Sequence, residues 1–89
     1  MSRRSEVEIT NDILKLCCVP TIKTHIVYKC NMNFHTIERY LKMLIRKELL
    51  LVIRNKGKVL YETTESGIVT IDNLDNIIPT IQGLRISGF

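Results

Sequence analysis

In the middle of this 89-residue chain, His35, Arg39, Lys42 and Arg46 recur at steps of four, three and four residues. That spacing puts all four on one side of a helix, with Thr36 at the edge of the same face. Side by side they make an anion-binding strip. The anions that suit such a strip are nucleic-acid phosphates, with base edges within reach of the residues nearest the helix start. A second cluster follows: Arg54, Asn55, Lys56, Gly57 and Lys58. The chain carries 13 Lys+Arg against 9 Asp+Glu, a formal +4. From Phe34 to Lys58 there are seven basic and two acidic residues, a balance of +5; from Val59 onward there are one basic and four acidic, a balance of −3. An anionic partner would therefore dock on the middle of the chain. A plain solvated helix face also carries charge, and lysines on a hairpin also protect edge strands. The strip acquires meaning only from the elements that hold it.

Other chemistry finds little support. His25 and His35 could serve as general bases, but no motif places a nucleophile or a carboxylate beside either. Cys17, Cys18 and Cys30 are odd in number, two are adjacent, and no CxxC pair or histidine at ligand spacing accompanies them. They are expected to be buried free thiols in a reducing compartment, with Cys30 a small residue in a tight helix–helix contact. No catalytic residue, metal site or cofactor is expected, and the chain does not read as an enzyme. The start, "MSRRSEVE", leads into no apolar block, and the run "LLLVI" is far too short to span a membrane. A soluble cytoplasmic protein is expected.

The elements that would position the strip follow from periodicity and caps. Ser5 caps a first helix, with Glu6 and Glu8 in its first turn. Ile9, Ile13, Leu16 and Cys17 share its apolar face, Glu8, Asp12 and Lys15 lie opposite, and Pro20 ends it. "TIK" reads as a short extended segment. Thr24 caps a second helix, His25 to Cys30, with Ile26 and Val27 facing inward. "NMN" breaks the chain there, with Met32 plugging into the core and Asn33 capping a third helix. In that helix Phe34, Ile37, Tyr40, Leu41, Leu44 and Ile45 form the buried arc. Leu50–Arg54 and Val59–Thr63 read as two strands of a hairpin, with Asn55 and Gly57 taking positive φ in its turn. Thr64 caps a fourth helix from Glu65 to about Ile77, with the stripe Ile68, Ile71, Leu74 and Ile78, stopped by Pro79. Residues 1–78 are thus one domain and 79–89 a tail.

Helix, extended segment, helix, tight turn, helix, hairpin, helix is the order of an α+β winged helix-turn-helix. The second helix braces the third so that its outer face can enter a major groove about 12 Å wide, and the hairpin wing reaches flanking phosphates. His35, Thr36 and Arg39 would read base edges, Lys42 and Arg46 would meet phosphates, and Asn33 would cap the helix and touch the backbone. Arg54, Asn55, Lys56 and Lys58 would hold the flanking strand. Arg3 and Arg4 form either a minor-groove arm or a frayed end. The function expected is double-stranded DNA binding in transcription regulation. The alternatives are a winged-helix module for acidic protein partners and a sequence-tolerant architectural DNA-binding protein.

The segments "RSEVEITNDIL", "KTHIVYKCNMNF", "IERYLKMLIRKELL" and "YETTESG" resemble the small archaeal winged-helix DNA-binding proteins, the group that includes the Sulfolobus chromatin-type proteins. The resemblance covers roughly Arg4 to Gly67. It implies an archaeal or archaeal-virus origin, a nucleoid-associated location, DNA binding and usually a homodimer. Two features depart from the family. Glu48 stands where the family often has glycine, and the C-terminal helix is shorter than in the coiled-coil members. Val69, Leu74, Ile77, Ile78 and Ile81 are the expected dimer face, the alternative being that the tail, with Leu84, Ile86 and Phe89 as further apolar residues, wraps its own domain.

Overall fold

A capping box starts the first helix: the Ser5 hydroxyl accepts from the Glu8 amide at 3.2 Å, and the Glu8 carboxylate accepts from the Ser5 amide at 2.9 Å. The computed structural model describes residues 4–86, with side chains described through residue 83. The order is α1 (Glu6–Leu16), α2 (Lys23–Cys30), α3 (Phe34–Arg46), β1 (Leu50–Asn55), β2 (Lys58–Thr63) and α4 (Glu65–Ile86). The fold is the expected winged helix-turn-helix.

The core gathers Ile9, Ile13, Leu14 and Cys17 from α1, Ile26 and Cys30 from α2, Ile37, Leu41 and Leu44 from α3, and Leu50 and Tyr61 from the wing base. Each large aliphatic here contributes roughly 1.5–3 kcal/mol by leaving water. α1 ends at Leu16 with Cys17 as its cap, well before Pro20. Two residues of α1 depart from the expected faces. Leu14 is fully buried, and Glu8, placed on the solvent side by periodicity, is only 8% exposed. α1 is covered on two sides: by the other core elements and, through Glu8 and Gln82, by α4. Cys18 is also exposed rather than buried.

β1 and β2 pair antiparallel from Leu50↔Thr63 to Asn55↔Lys58. Thr21 adds one bridge: its amide donates to the Tyr61 carbonyl at 3.0 Å, and the Tyr61 amide returns the bond at 2.8 Å. This is the extended segment expected at "TIK". The turn is a two-residue loop with Lys56 at φ 51° and Gly57 at φ 79°. Two successive positive φ values match the right-handed twist of the strands. Asn55 is the last residue of β1, so it is Lys56, not Asn55, that takes the left-handed conformation.

α4 begins where expected. The Thr64 hydroxyl accepts from the Gly67 amide at 3.0 Å and donates to the Glu48 carbonyl at 2.8 Å, tying the start of α4 to the end of α3. A Cβ on Gly67 would stand 2.5 Å from the Leu49 carbonyl oxygen and 2.5 Å from Thr63 Cγ2, so only glycine fits this approach. The helix does not stop at Pro79 but runs on to Ile86. Pro79 removes one helical donor, and both it and Asp75, four residues earlier, are exposed, so the freed carbonyl faces solvent. Contacts to α1 lie on both sides of the proline. Asn11 Nδ2 donates to Asp75 at 2.8 Å, Lys15 pairs with Asp75 at 2.9 Å, and Gln82 donates to Glu8 at 3.2 Å.

Candidate nucleic-acid interface

The tight turn after α2 and the exit from α3 are closed by the same motif. At the end of α2, Asn31 sits at φ 53°, its amide bonds to the Tyr28 carbonyl, and the Met32 amide reaches back to Val27 at 3.3 Å. At the end of α3, Glu48 sits at φ 62°, its amide bonds to Ile45, and the Leu49 amide reaches back to Leu44 at 2.9 Å. Both are Schellman closures, which need a left-handed residue just past the helix. Asparagine tolerates that position; glutamate does so at a cost, because its Cβ crowds the carbonyl. Glu48 thus holds a left-handed backbone at a cost in strain. Met32 packs against the core as expected, and Asn33 caps α3 by accepting from the Thr36 amide at 2.8 Å. α2 itself starts one residue before the expected cap: Lys23 is its first residue, Ile22 caps it without a side-chain bond, and Thr24 lies inside it.

The outer face of α3 is as the spacing predicts. His35, Arg39, Lys42 and Arg46 are exposed, Thr36 is half-buried beside them, and Asn33 is exposed at the helix start. The inner face buries Ile37, Leu41 and Leu44, with Tyr40, Met43 and Ile45 partly buried against them. Phe34 is the exception: expected in the core, it is 48% exposed. It is the first helical residue, at the end of the stripe.

On the wing, Arg54, Asn55, Lys56 and Lys58 are all exposed. Cross-strand partners share a face, so Leu50/Thr63, Val52/Tyr61 and Arg54/Val59 line one side of the hairpin. Leu50, Thr63 and Tyr61 are buried on that side, and Tyr61 shares a cleft with Lys23, Glu38, Leu41, Lys42 and Ile45. Arg54 therefore lies on the side of the wing that turns toward α3. The described ion pairs are Arg4–Asp12, Lys15–Asp75 and Lys23–Glu38. Among the described residues, then, Arg39, Lys42, Arg46, Arg54, Lys56 and Lys58 form no ion pair, although Glu38 lies near enough for Lys42 to help lower its carboxyl. Most of this positive charge is therefore left without a contacting counter-charge.

Other candidates find different places. Arg4 does not extend as an arm: its guanidinium pairs with Asp12 at 2.5 Å and donates to the Cys30 carbonyl. Arg3 and Phe89 lie outside the described residues, as do the side chains of Leu84 and Ile86. Burial, with Cys30 and Cys18 nearby, pushes the Cys17 thiol up to about 12, and burial also raises Cys30. Neither ionises near neutrality, so neither is a nucleophile or a ready metal ligand there. No helix of the described residues is long and apolar enough to cross a membrane. Sequence reasoning missed Lys23. Its ammonium meets Glu38 at 3.0 Å and stands 5.6 Å from the Phe34 ring centroid. The hydrogen bond to Glu38 raises the lysine and lowers the carboxyl from their ordinary values. Only the Phe34–Glu38 spacing of one turn hinted at it.

On α4, Val69 and Ile77 are 60% and 48% exposed, Ile68 is also exposed, and Leu74, Ile78 and Ile81 are half-buried. Of the expected stripe, Ile71 packs on the core.

Comparison with solved structures finds the same architecture in Sso10a-2, a DNA-binding protein from Sulfolobus solfataricus, at TM-score 0.85 and 25% identity over 94% of this chain and 88% of that one. The transcriptional regulator BldR from Sulfolobus solfataricus matches at TM-score 0.78 and 18% identity over 91% of this chain, which spans 61% of that regulator. SSV1 F-93 matches at TM-score 0.69 and 17% identity, covering 93% of this chain and 97% of that one. A comparison with curated protein sequences finds no match. The sequence model of the winged helix-turn-helix family matches residues 3–82, and with the turn, the wing and the caps in place, the chain belongs to that family.

Proposed function

We propose that this chain is a transcription regulator that binds double-stranded DNA, with α3 in the major groove and the wing on the flanking backbone. The observation that carries this reading is the exposed positive charge. Arg39, Lys42 and Arg46 on α3, and Arg54, Lys56 and Lys58 on the wing, are exposed and form no ion pair among the described residues. His35, Thr36 and Arg39, nearest the start of α3, contact base edges. Lys42, Arg46 and the wing residues Arg54, Asn55, Lys56 and Lys58 contact phosphates, and Asn33 touches the backbone beside the cap it makes.

The reading is tested by fluorescence anisotropy with duplex DNA across a salt series. Wild type shows a steep fall of log K with log salt, and Arg39→Ala/Lys42→Ala flattens the slope by about one unit per phosphate contact removed. Binding that ignores both residues, or none at low salt, refutes it in favour of an acidic protein partner.

The protein acts as a homodimer through α4, using Val69, Leu74, Ile77, Ile78 and Ile81. The exposed Val69 and Ile77, with Ile68 also exposed on the same helix, are the apolar surface that a second copy would cover. Sedimentation equilibrium reports a dimer for wild type and a monomer for Ile77→Lys; a wild-type monomer at tens of micromolar refutes the assignment.

A further inference from the structure

Phe34 is the residue that the DNA-binding face leaves unexplained. It is the first residue of α3, at the end of the helix whose residues reach base edges when such a helix enters a groove. Half of its surface faces solvent. The ring is nevertheless held in place. Lys23 stands over it at 5.6 Å, and Lys23 is itself fixed by Glu38 at 3.0 Å, one helical turn beyond Phe34 on α3. The pairing also gives the Lys23 ammonium a carboxylate partner. The start of α3 therefore presents a positioned apolar surface, while the residues that follow it, His35, Thr36 and Arg39, present polar atoms.

Resting on the DNA-binding reading above, we infer that Phe34 is a specificity residue that reads thymine by packing its ring on the base's 5-methyl group in the major groove. The chemistry leaves few other targets. A phenyl ring can neither donate to a phosphate nor hydrogen-bond a base edge. The apolar group that bases offer in the major groove is the thymine methyl. Wedging between base pairs is the work of side chains in the minor groove, on the other side of the duplex from a recognition helix. The Glu38–Lys23 pair acts as a positioning device for the ring.

The test uses wild-type full chain and the sequence it enriches from a randomised duplex pool. Each thymine of that sequence is replaced in turn by deoxyuridine, which deletes only the methyl, and affinity is read by anisotropy at fixed salt. At one or two positions deoxyuridine weakens wild type about fourfold, the effect of one buried methyl group. Phe34→Ala, with an unchanged circular dichroism spectrum and salt slope, no longer distinguishes thymine from deoxyuridine there, and Phe34→Leu distinguishes them partly. If wild type binds DNA but every substitution is neutral, Phe34 does not read thymine, although the DNA-binding reading stands. If Phe34→Ala keeps the wild-type ratio, another residue is the reader and the inference is overturned. If the wild type enriches no sequence and binds no duplex at low salt, the DNA-binding reading itself has failed. The scan on wild type needs no variant, so a folding defect in Phe34→Ala cannot shield the inference.

Discussion

α3 turns Ile37, Leu41 and Leu44 inward and His35, Arg39, Lys42 and Arg46 outward, whereas α4 turns Asp75 and Gln82 toward α1 and leaves Val69 and Ile77 in water. The first arrangement is that of a helix whose inner face belongs to its own chain. The second is that of a helix held to its own domain by a glycine contact, a few polar pairs and Ile71, with apolar surface left over. The α1–α4 seam even buries an Asn11 Oδ1 that has no hydrogen-bond partner among the described residues. A seam with that cost is less tightly optimised than the core under α3. The contrast matches the proposed division of labour, in which α3 would read DNA and α4 would meet another copy.

The contrast can be broken hardest at Gly67. Alanine there would collide with the Leu49 carbonyl and Thr63, forcing α4 off the wing base. Gly67→Ala is expected to cost about 1–3 kcal/mol in chemical denaturation, the range for overpacking, and to weaken dimerisation more than DNA contact by the monomer. A loss of stability below the error of the melt would mean that α4 is not anchored at this point.

The α3 side is sharpened by Glu48. Glycine would relieve its left-handed backbone, so Glu48→Gly is expected to raise stability by about 1 kcal/mol. The entropy that glycine loses on folding works against this and sets the lower limit. The salt slope of DNA binding should not weaken, because Glu48 is an acid at the far end of the helix. A destabilised variant would show that the Glu48 side chain contributes more than its backbone costs.

The smallest effect belongs to Asp75. Lys15 first, and Asn11 second, hold its carboxyl below the ordinary aspartate range. A group whose folded pKa is lowered stabilises the fold above its unfolded value, about 3.9, and loses that contribution as pH falls from there through the folded value. The docking of α4 should therefore loosen slightly in that acidic window. Asp75→Asn should lose that part of the pH dependence when melts are compared across it. An unchanged profile would remove Asp75 from the seam's electrostatics.

Much of this was readable along the chain because it is local. Ser5, Asn33 and Thr64 cap helices with atoms three residues away, and the hairpin announces itself by a change from helical to alternating period. The basic strip on α3 follows from spacing alone. The misreadings arose where a distant element intervened. Glu8 looked like solvent face until α4 covered it. Pro79 looked like a stop, yet helix contacts on both sides of it, at Asp75 and Gln82, carry α4 past it. Phe34 looked like core because its position fits the stripe. Thr24 looked like a cap, but α2 begins at Lys23, and Asn55 looked like the left-handed turn residue until the register gave that place to Lys56.

Periodicity, caps and charge distribution were enough to specify a winged helix-turn-helix with a basic outer face on α3, since each depends on residues within a few positions of one another. What holds the Phe34 ring, how far α4 runs, and which of its residues stay in water depended on contacts between separate elements. The Lys23–Glu38–Phe34 contact joins two helices, and the Asn11–Asp75 bond spans 64 positions. Such contacts exist only once the chain has folded, because their energies come from burial and proximity that no local pattern encodes.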